Sequence, residues 1–244
     1  MTDNELEEGF DHLNRLITST DDLKGFLQGM AGLASEKLTH TEGTQIECAV
    51  ALHRRKRRTT IAGSSDIALW LDQIEQRLGE GPCVEALELG KPMIVSDAAA
   101  DQRWPNYCRT LTDEGYRSAM GIPLELGADA DAVLDFFAAP ADQFTPNTVE
   151  DARVFGDMAG RALRLAVRIT TAEQLADDLR SALESRTVID LACGMIMAQN
   201  RCSQVRAMEI LKKASSDCNQ KLHVVAENIV QRVNATYTST FFEK

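Results

Sequence analysis

The chain lacks the patterns that mark a secreted or membrane-spanning protein. No run of about 18 apolar residues occurs in it, so no transmembrane helix is predicted. The acidic N-terminus lacks the basic and apolar regions of a secretory signal. Proline and glycine are sparse, at 6 and 15 of 244 residues, which argues against low-complexity segments. With 44% hydrophobic residues, the sequence predicts a soluble, cytoplasmic protein with a buried core.

The chain also lacks the residue clusters of metal sites and of common catalytic sites. Its six cysteines are scattered, with no C-x-x-C pair and no grouping with histidine at metal-ligand spacing. No serine–histidine–aspartate set, phosphate loop or paired carboxylates form a readable motif. We therefore predict no catalytic residue, no metal site, no cofactor and no enzyme activity.

Charge is unevenly distributed along the sequence. The net charge is −11, but residues 1–180 carry −13 and residues 181–235 carry +2. The chain thus has an acidic front part and a slightly basic back part, and a basic excess of this size is weak evidence by itself. A separate basic stretch, His53 to Arg58, is either a nucleic-acid patch or an exposed hairpin turn.

The front part alternates between helical and strand patterns. Residues 5–38 predict one or two helices with a break near Thr18, and residues 66–78 predict another with Ile67, Leu71, Ile74 and Leu78 on one face. Strands are predicted over 46–52, 59–62, 92–95, 119–126 and 132–139. This order is typical of an α+β domain, with an antiparallel sheet and flanking helices.

A long apolar stripe follows from about Pro146 onward. It consists of Phe155, Met158, Ala162, Leu165, Ile169, Ala172, Ala176, Leu179 and Leu183. Spacings of three and four alternate for four heptads, which favours a coiled coil and a homodimer through the helix 155–183. The alternative is a long helix that packs on its own domain and needs no dimer.

The last part of the chain predicts three short-linked helices. Ser203 is an N-cap candidate for a helix over 204–216, and Leu222 to Val233 marks the last helix. Because the loops are short, the three helices should pack as a bundle. Gly194 inside a helix costs about 1 kcal/mol relative to alanine. Close approach of another helix, or of an RNA backbone, would justify that cost, and helix packing is the favoured interpretation.

Three spaced signatures in this part carry a family resemblance. They read Ala182-Leu-Glu-Ser-Arg186, then Ile189 to Met197 with Ala192 and Gly194, and then Leu222-His-Val-Val-Ala226 followed by Ile229. Residues 174–233 closely resemble the ANTAR family of transcription antitermination domains. One position departs from the pattern, because the family often has a Lys or Arg where this chain has Cys193. The departure removes one expected phosphate contact.

The front part resembles a GAF sensor domain of the kind fused to ANTAR in actinobacteria. The resemblance is carried by Gly79 to Leu87, Asp101 to Pro105, Gly115 to Ser118 and Ile122 to Leu124. The expected organisation is a GAF-like sensor domain over 1–150, a coiled-coil signalling helix over 151–180, an ANTAR RNA-binding domain over 174–235 and a tail over 236–244.

The two resemblances imply a regulator that binds stem-loops in nascent mRNA and blocks a terminator, under control of the sensor. Arg, Lys and Asn on one exposed face would contact RNA. The candidate RNA-binding residues are Arg186, Asn200, Arg201, Lys212, Lys213, Asn219 and Lys221. Arg186 also lies in line with Leu179 and Ile189 at helical spacing, so it is alternatively a side chain that covers the bundle.

The sensor resemblance implies a small-molecule ligand whose identity it does not give. The candidate pocket residues are Trp70, Cys83, Trp104, Tyr107, Tyr116 and Phe136. Two other functions remain open at this point. One is a DNA-binding transcription factor with a small-molecule sensor domain. The other is a GAF-type thiol reductase that uses Cys83 or Cys108.

Overall fold

The protein divides into two compact units, Met1–Thr170 and Thr171–Lys244. The structure, a computed structural model, describes residues 3–20, 22–54, 59–127 and 130–240, without the side chains of 3–10, Thr60 and 233–240. Residues 55–58, most of the basic stretch, lie outside this description. The longest helix, α6 (Pro146–Asn200), begins in the first unit and ends in the second.

The first unit is built on a five-stranded antiparallel sheet in the order β2-β1-β5-β4-β3. Its strands are β1 (Ile46–Arg54), β2 (Thr60–Gly63), β3 (Met93–Val95), β4 (Ser118–Leu124) and β5 (Ala130–Ala138). Every strand predicted from the sequence is present, with ends displaced by no more than two residues. The predicted α+β class with an antiparallel sheet is confirmed.

Five helices precede α6 in the part of the chain that the structure describes. They are α1 (Asp3–Ser19), α2 (Leu23–Glu42), α3 (Asp66–Leu78), α4 (Pro82–Leu89) and α5 (Pro105–Asp113). The predicted break near Thr18 separates α1 from α2, which starts where the Asp22 carboxylate accepts a hydrogen bond from the Gly25 amide at 2.7 Å. The short α4 was not predicted, because its glycine–proline start was read only as the end of α3. Proline is favourable at the first position of a helix.

The sheet separates two layers of helices, since successive side chains of a strand point to opposite faces. On one face, Cys48, Val50, Leu134 and Phe136 pack with α2 and the first part of α6. On the other, Ala49, Ala51, Val133 and Phe137 pack with α3, α4 and α5. Asp135 lies between Val133 and Phe137 on this second face.

The second unit is a three-helix bundle formed by the end of α6, α7 (Gln204–Asp217) and α8 (Leu222–Thr240). Its core consists of Ala192, Cys193, Ile196, Ala207, Leu211, Val225 and Ala226. The Ser203 hydroxyl accepts a hydrogen bond from the Arg206 amide at 3.3 Å, which confirms the predicted N-cap. Cys193 is buried in this core, so apolar packing explains the residue at that position.

The apolar stripe of α6 changes its environment along its length. Phe155, Met158 and Ala162 are buried in the core of the first unit, so this part of the stripe packs on its own domain. Leu179 and Leu183 are exposed at 57% and 65%. Only the later part of the stripe is thus free to meet a partner.

Within the described chain, no helix is both long and apolar enough to cross a bilayer.

Candidate functional site

All seven candidate RNA-binding residues are exposed on the bundle. The Arg186 side chain is 80% exposed, and its Nε atom lies 3.8 Å from an Asp190 carboxylate oxygen one turn along α6. A side chain this exposed does not cover the bundle core, so the alternative interpretation of Arg186 is not supported. Lys212 and Lys213 project into solvent from α7.

The candidates form two groups, which lie at different turns of the bundle. Asn200 and Arg201 lie at the turn between α6 and α7, whereas Asn219 and Lys221 lie at the turn between α7 and α8. The 14 residues of α7 separate the two turns by about 21 Å, at 1.5 Å per residue. Because consecutive helices joined by short turns run antiparallel, Arg186 belongs to the end that holds Asn219 and Lys221.

Two candidates adopt left-handed backbone conformations. Arg201 has φ = 49° and Asn219 has φ = 50°, and each follows the end of a helix. Asparagine tolerates this region, but an arginine there costs roughly 1 kcal/mol relative to glycine. Arg201 therefore occupies a position where the backbone conformation favours glycine.

Gly194 stands on the exposed surface of α6. A Cβ atom added there would meet no atom within 4 Å among the described residues. The expected explanation, close packing of a neighbouring helix against this glycine, is therefore wrong within the described structure. The surface at Gly194 is open to an approaching molecule.

In the first unit, three carboxylates are enclosed between the sheet and the helices. Asp72 and Glu75 lie on α3 and Asp135 lies on β5, and all three are fully buried. We call these three residues the acid cluster. The buried Cys83 thiol of α4 and the buried Tyr107 hydroxyl of α5 adjoin it. Buried charges are rare unless they are paired, so the cluster calls for an explanation.

Glu75 is in part a structural residue. Its Oε1 atom accepts hydrogen bonds from the Cys83 and Val84 amides, at 2.5 and 3.1 Å, and so caps α4. Gly81 approaches the same carboxylate, where an added Cβ atom would lie 2.5 Å from Glu75. Burial nevertheless raises the pKa of Glu75 to about 7, against the effect of these amides. Its Oε2 atom has no hydrogen-bond partner.

Asp72 and Asp135 have no comparable structural role. Burial raises the pKa of both carboxyl groups, and the neighbouring Asp72 raises that of Asp135 further. The Gln76 amide and the His53 ring lower the pKa of Asp72, with smaller effects than burial. None of the four carboxylate oxygens accepts a hydrogen bond of standard geometry from the described N–H and O–H donors.

The structure separates the six pocket candidates. Cys83 and Tyr107 adjoin the acid cluster, and Trp104 and Tyr116 pack in the apolar layer on the same face of the sheet. Phe136 points to the opposite face. Trp70 is 40% exposed, donates a hydrogen bond to Glu114 at 2.9 Å and lies under the Arg77 guanidinium. Trp70 and Phe136 therefore lie apart from the other four candidates for the expected pocket.

The three carboxylates are not among the site residues predicted from the sequence. The predicted apolar face of α3 included Leu78, which is exposed, whereas Asp72 and Glu75 are buried. A signal was nevertheless present in β5. Asp135 is the one charged residue in the run Val133 to Ala138, and a charge inside an apolar strand is unusual.

The Cys83 thiol is poorly suited to nucleophilic chemistry. Burial raises its pKa well above the ordinary value, and the nearby Asp135 and Glu75 raise it further. Since the thiolate is the reactive form, this environment disfavours reaction. Burial also raises the pKa of Cys108, to about 11.

Two protein families match the chain in consecutive segments. The GAF domain model matches residues 22–163, and the ANTAR domain model matches residues 177–230. No curated protein sequence matches the chain.

Solved structures show only distant similarity. They include a free methionine-R-sulfoxide reductase from Neisseria meningitidis, at 15% identity and TM-score 0.48, which covers 69% of this chain and 95% of that one. The GAF domain of an Acinetobacter phosphoenolpyruvate-protein phosphotransferase has 14% identity and TM-score 0.47, and the match covers 70% of this chain and 99% of that one. An N-acylhomoserine lactone dependent LuxR family transcription factor from Burkholderia cenocepacia has 15% identity and TM-score 0.48, and the match covers 68% of this chain and 96% of that one.

These distant similarities carry no argument about ligand or activity, but the family matches do identify the chain. The GAF match spans more than half of the sequence and coincides with the unit built on the antiparallel sheet. The ANTAR match coincides with the three-helix bundle. The chain belongs to the GAF domain family and, with the ANTAR domain that follows, is a GAF–ANTAR regulator.

Proposed function

We propose that the protein is a signal-responsive transcription antitermination regulator that binds stem-loops in nascent mRNA through its bundle. The GAF domain controls this binding as a sensor, and the protein works in the cytoplasm, where nascent bacterial mRNA is found. The main support is the ANTAR match over residues 177–230, on a bundle whose candidate RNA-binding residues are all exposed.

The side chains of the bundle suit hairpin loops better than duplex grooves. Sequence-specific RNA recognition uses unpaired bases, which stack on aromatic rings or arginine planes and accept hydrogen bonds. Residues 174–234 contain no Phe, Tyr or Trp, so arginine would supply the stacking surface. Arg201 fits this role, because arginine is present at a left-handed turn position where glycine would carry no backbone strain.

Gly194 adds a place where an RNA backbone can approach. It lies about two turns after Arg186 on α6 and has open space in front of it. A larger residue there would hold a phosphate further from the helix. The cost of glycine in a helix then has a functional explanation, in place of the helix packing that the structure does not show.

We further propose that two copies pair through the exposed later part of the α6 stripe. Leu165, Ile169, Leu179 and Leu183 are exposed in the single chain, which is unfavourable for large apolar side chains in a row. Pairing would bring two bundles together. Two linked bundles bind two adjacent hairpins with an affinity that exceeds that of either bundle alone.

Gel shifts with tandem-hairpin RNA test the proposal. We expect tight binding to the tandem hairpin, weaker binding to a single hairpin and little competition by duplex DNA. Arg186→Ala combined with Lys221→Ala should weaken binding by roughly tenfold or more, because each contact to RNA is worth about 1 kcal/mol. A preference for duplex DNA would instead favour a DNA-binding transcription factor. Unchanged affinity of the double variant would refute the assignment of this end of the bundle.

A second variant separates pairing from RNA contact. Leu179→Glu with Leu183→Glu places charges in the stripe, and sedimentation should then show a monomer. We expect this variant to keep its single-hairpin affinity and to lose the additional affinity for the tandem hairpin. If the tandem preference persists in a monomer, pairing is not its source.

The thiol reductase alternative has less support. The buried Cys83 has a raised pKa, which keeps the thiol protonated. A thioredoxin-coupled turnover assay should therefore show no activity above background. Turnover that Cys83→Ser abolishes would restore the alternative.

A further inference from the structure

The acid cluster brings together more acceptors than the described chain satisfies. Five oxygen atoms accept no hydrogen bond of standard geometry from the described residues, namely Asp72 Oδ1 and Oδ2, Asp135 Oδ1 and Oδ2, and Glu75 Oε2. An unsatisfied buried acceptor costs about 1–3 kcal/mol. Apolar residues at Asp72 and Asp135 would avoid this cost, so a function is the better explanation for these two carboxylates.

A donor without a partner points to the same place. The Tyr107 hydroxyl is fully buried and has no hydrogen-bond partner in the described structure. Burial raises the pKa of this hydroxyl, and Glu75, Cys83 and Asp135 raise it further. Tyr107 packs in the apolar layer on the face of the sheet that holds Asp135. Tyr107 lies on α5, Glu75 on α3 and Asp135 on β5, so three separate elements contribute unsatisfied buried polar atoms to this layer.

The position has very little positive charge. Among the described groups, only the His53 ring lowers the pKa of a cluster member by its charge, and it acts on Asp72 alone. The titratable or polar groups next to the cluster are His53 from β1, Gln76 from α3, Cys83 from α4 and Tyr107 from α5. No lysine or arginine is among them.

The arrangement of the described side chains favours N–H donors over a metal ion. In the described part of the chain, no three His, Cys, Asp or Glu side chains are placed to hold a metal. Hydrogen bonds from a charged nitrogen are about 2.8 Å long, whereas bonds to a small divalent cation are about 2.1 Å. Carboxylates that do not form a metal site are still able to accept N–H bonds from one organic group.

We propose that the sensor domain binds a small organic cation, whose ammonium or guanidinium group is held among Asp72, Glu75 and Asp135, with the Tyr107 hydroxyl as an additional partner. This inference rests on the proposed function, since it gives the chemical class of the ligand that the sensor detects. In the absence of the ligand, burial favours the uncharged, protonated form of these carboxyl groups.

The simplest probe is propylammonium chloride, with 1-propanol as the neutral molecule of matched shape and sodium chloride as the ionic control. Both tryptophans, Trp70 and Trp104, lie in the first unit, so tryptophan fluorescence follows unfolding of the sensor in the full-length chain. Saturating propylammonium should raise the midpoint of thermal unfolding by about 3 °C, while the two controls should not. Calorimetry should show proton release on binding.

Two matched substitutions on β5 locate the effect. Asp135→Asn should abolish the stabilisation by propylammonium, whereas Asp131→Asn, at an exposed position of the same strand, should leave it unchanged. If Asp135→Asn does not fold, Tyr107→Phe removes only the hydroxyl and should weaken binding by roughly tenfold. Binding should also be stronger at about pH 8 than at about pH 5.5, because protons compete for the carboxylates.

Several outcomes would overturn the proposal. These are no stabilisation by propylammonium, equal stabilisation by 1-propanol, or an effect that survives Asp135→Asn. The hairpin gel shift needs no ligand and reports on the bundle. RNA binding without a propylammonium effect therefore refutes the cation site alone, and a propylammonium effect without RNA binding refutes the antitermination function alone.

Discussion

The two units place their charged groups in opposite ways. The acid cluster of the GAF domain is enclosed by a large core, whereas every RNA-binding candidate of the ANTAR domain is exposed over a small one. A large core is able to offset the cost of buried charge, and a small bundle is not. The difference agrees with the two proposals above, in which the sensor encloses a small ligand and the bundle presents its surface to a large one.

The largest expected difference between the units is in their tolerance of a lost core side chain. Leu27 belongs to a cluster of 30 buried residues and Leu211 to a cluster of seven. Each Leu→Ala change costs about 3 kcal/mol. We expect Leu211→Ala to unfold the bundle and Leu27→Ala only to lower the stability of the sensor.

Circular dichroism and tryptophan fluorescence distinguish these outcomes. Leu211→Ala should lower the helical signal at low denaturant concentration without a change in fluorescence, because both tryptophans lie in the first unit. Leu27→Ala should shift the fluorescence transition. A single transition in which both signals move together would show that the two units unfold as one.

The second prediction concerns the pH dependence of the sensor. A carboxyl group with a higher pKa in the folded state than in the unfolded state stabilises the fold in acid. This stabilisation is lost as pH rises through the folded value. For Glu75 the pKa rises from 4.5 to about 7, so its ionisation removes on the order of 3 kcal/mol. Asp72 and Asp135 act in the same direction.

Urea unfolding followed by tryptophan fluorescence measures this effect. The sensor should be more stable at about pH 5 than at about pH 8. Glu75→Gln should flatten the dependence, and Glu88→Gln, at an exposed position, should not. Greater stability at the higher pH would contradict the buried state of the cluster.

The sequence predicted the fold better than the sensor site. Alternation of apolar residues located all five strands, and the Ser203 cap located the start of α7, because these features are local. Burial of Asp72 and Glu75 depends on how α3 is rotated against the sheet. The face predicted for α3 included Leu78, which is exposed, and the predicted pocket included Trp70, which is also exposed. On the bundle, the residue types indicated exposed cations, but only the lengths of the helices show that they form two groups.

The third prediction uses the strained arginine of the bundle. Arg201→Gly relaxes the left-handed backbone, and the greater freedom of glycine in the unfolded chain offsets that gain. Stability should therefore stay within about 0.5 kcal/mol of the parent. RNA affinity should fall by roughly tenfold, since a side chain of this type contributes about 1–3 kcal/mol. Thermal unfolding and gel shifts together measure both quantities.

Arg206→Ala is the control for this change. Arg206 is exposed on α7 and is paired with Glu209 at 2.8 Å, and it is not an RNA-binding candidate. Its loss should leave RNA affinity nearly unchanged. If Arg206→Ala weakens binding as much as Arg201→Gly, net charge and not the turn position determines affinity.

The smallest expected effect comes from equivalent helix caps in the two units. Asp22 caps α2 in the sensor and Ser203 caps α7 in the bundle, each by a single hydrogen bond to a backbone amide. Replacing either with alanine should cost about 1 kcal/mol. Asp22→Ala should shift the fluorescence transition, whereas Ser203→Ala should shift only the transition seen by circular dichroism. Equal effects on both signals would mean that stability is shared between the units, and that local strain in the bundle reaches the sensor.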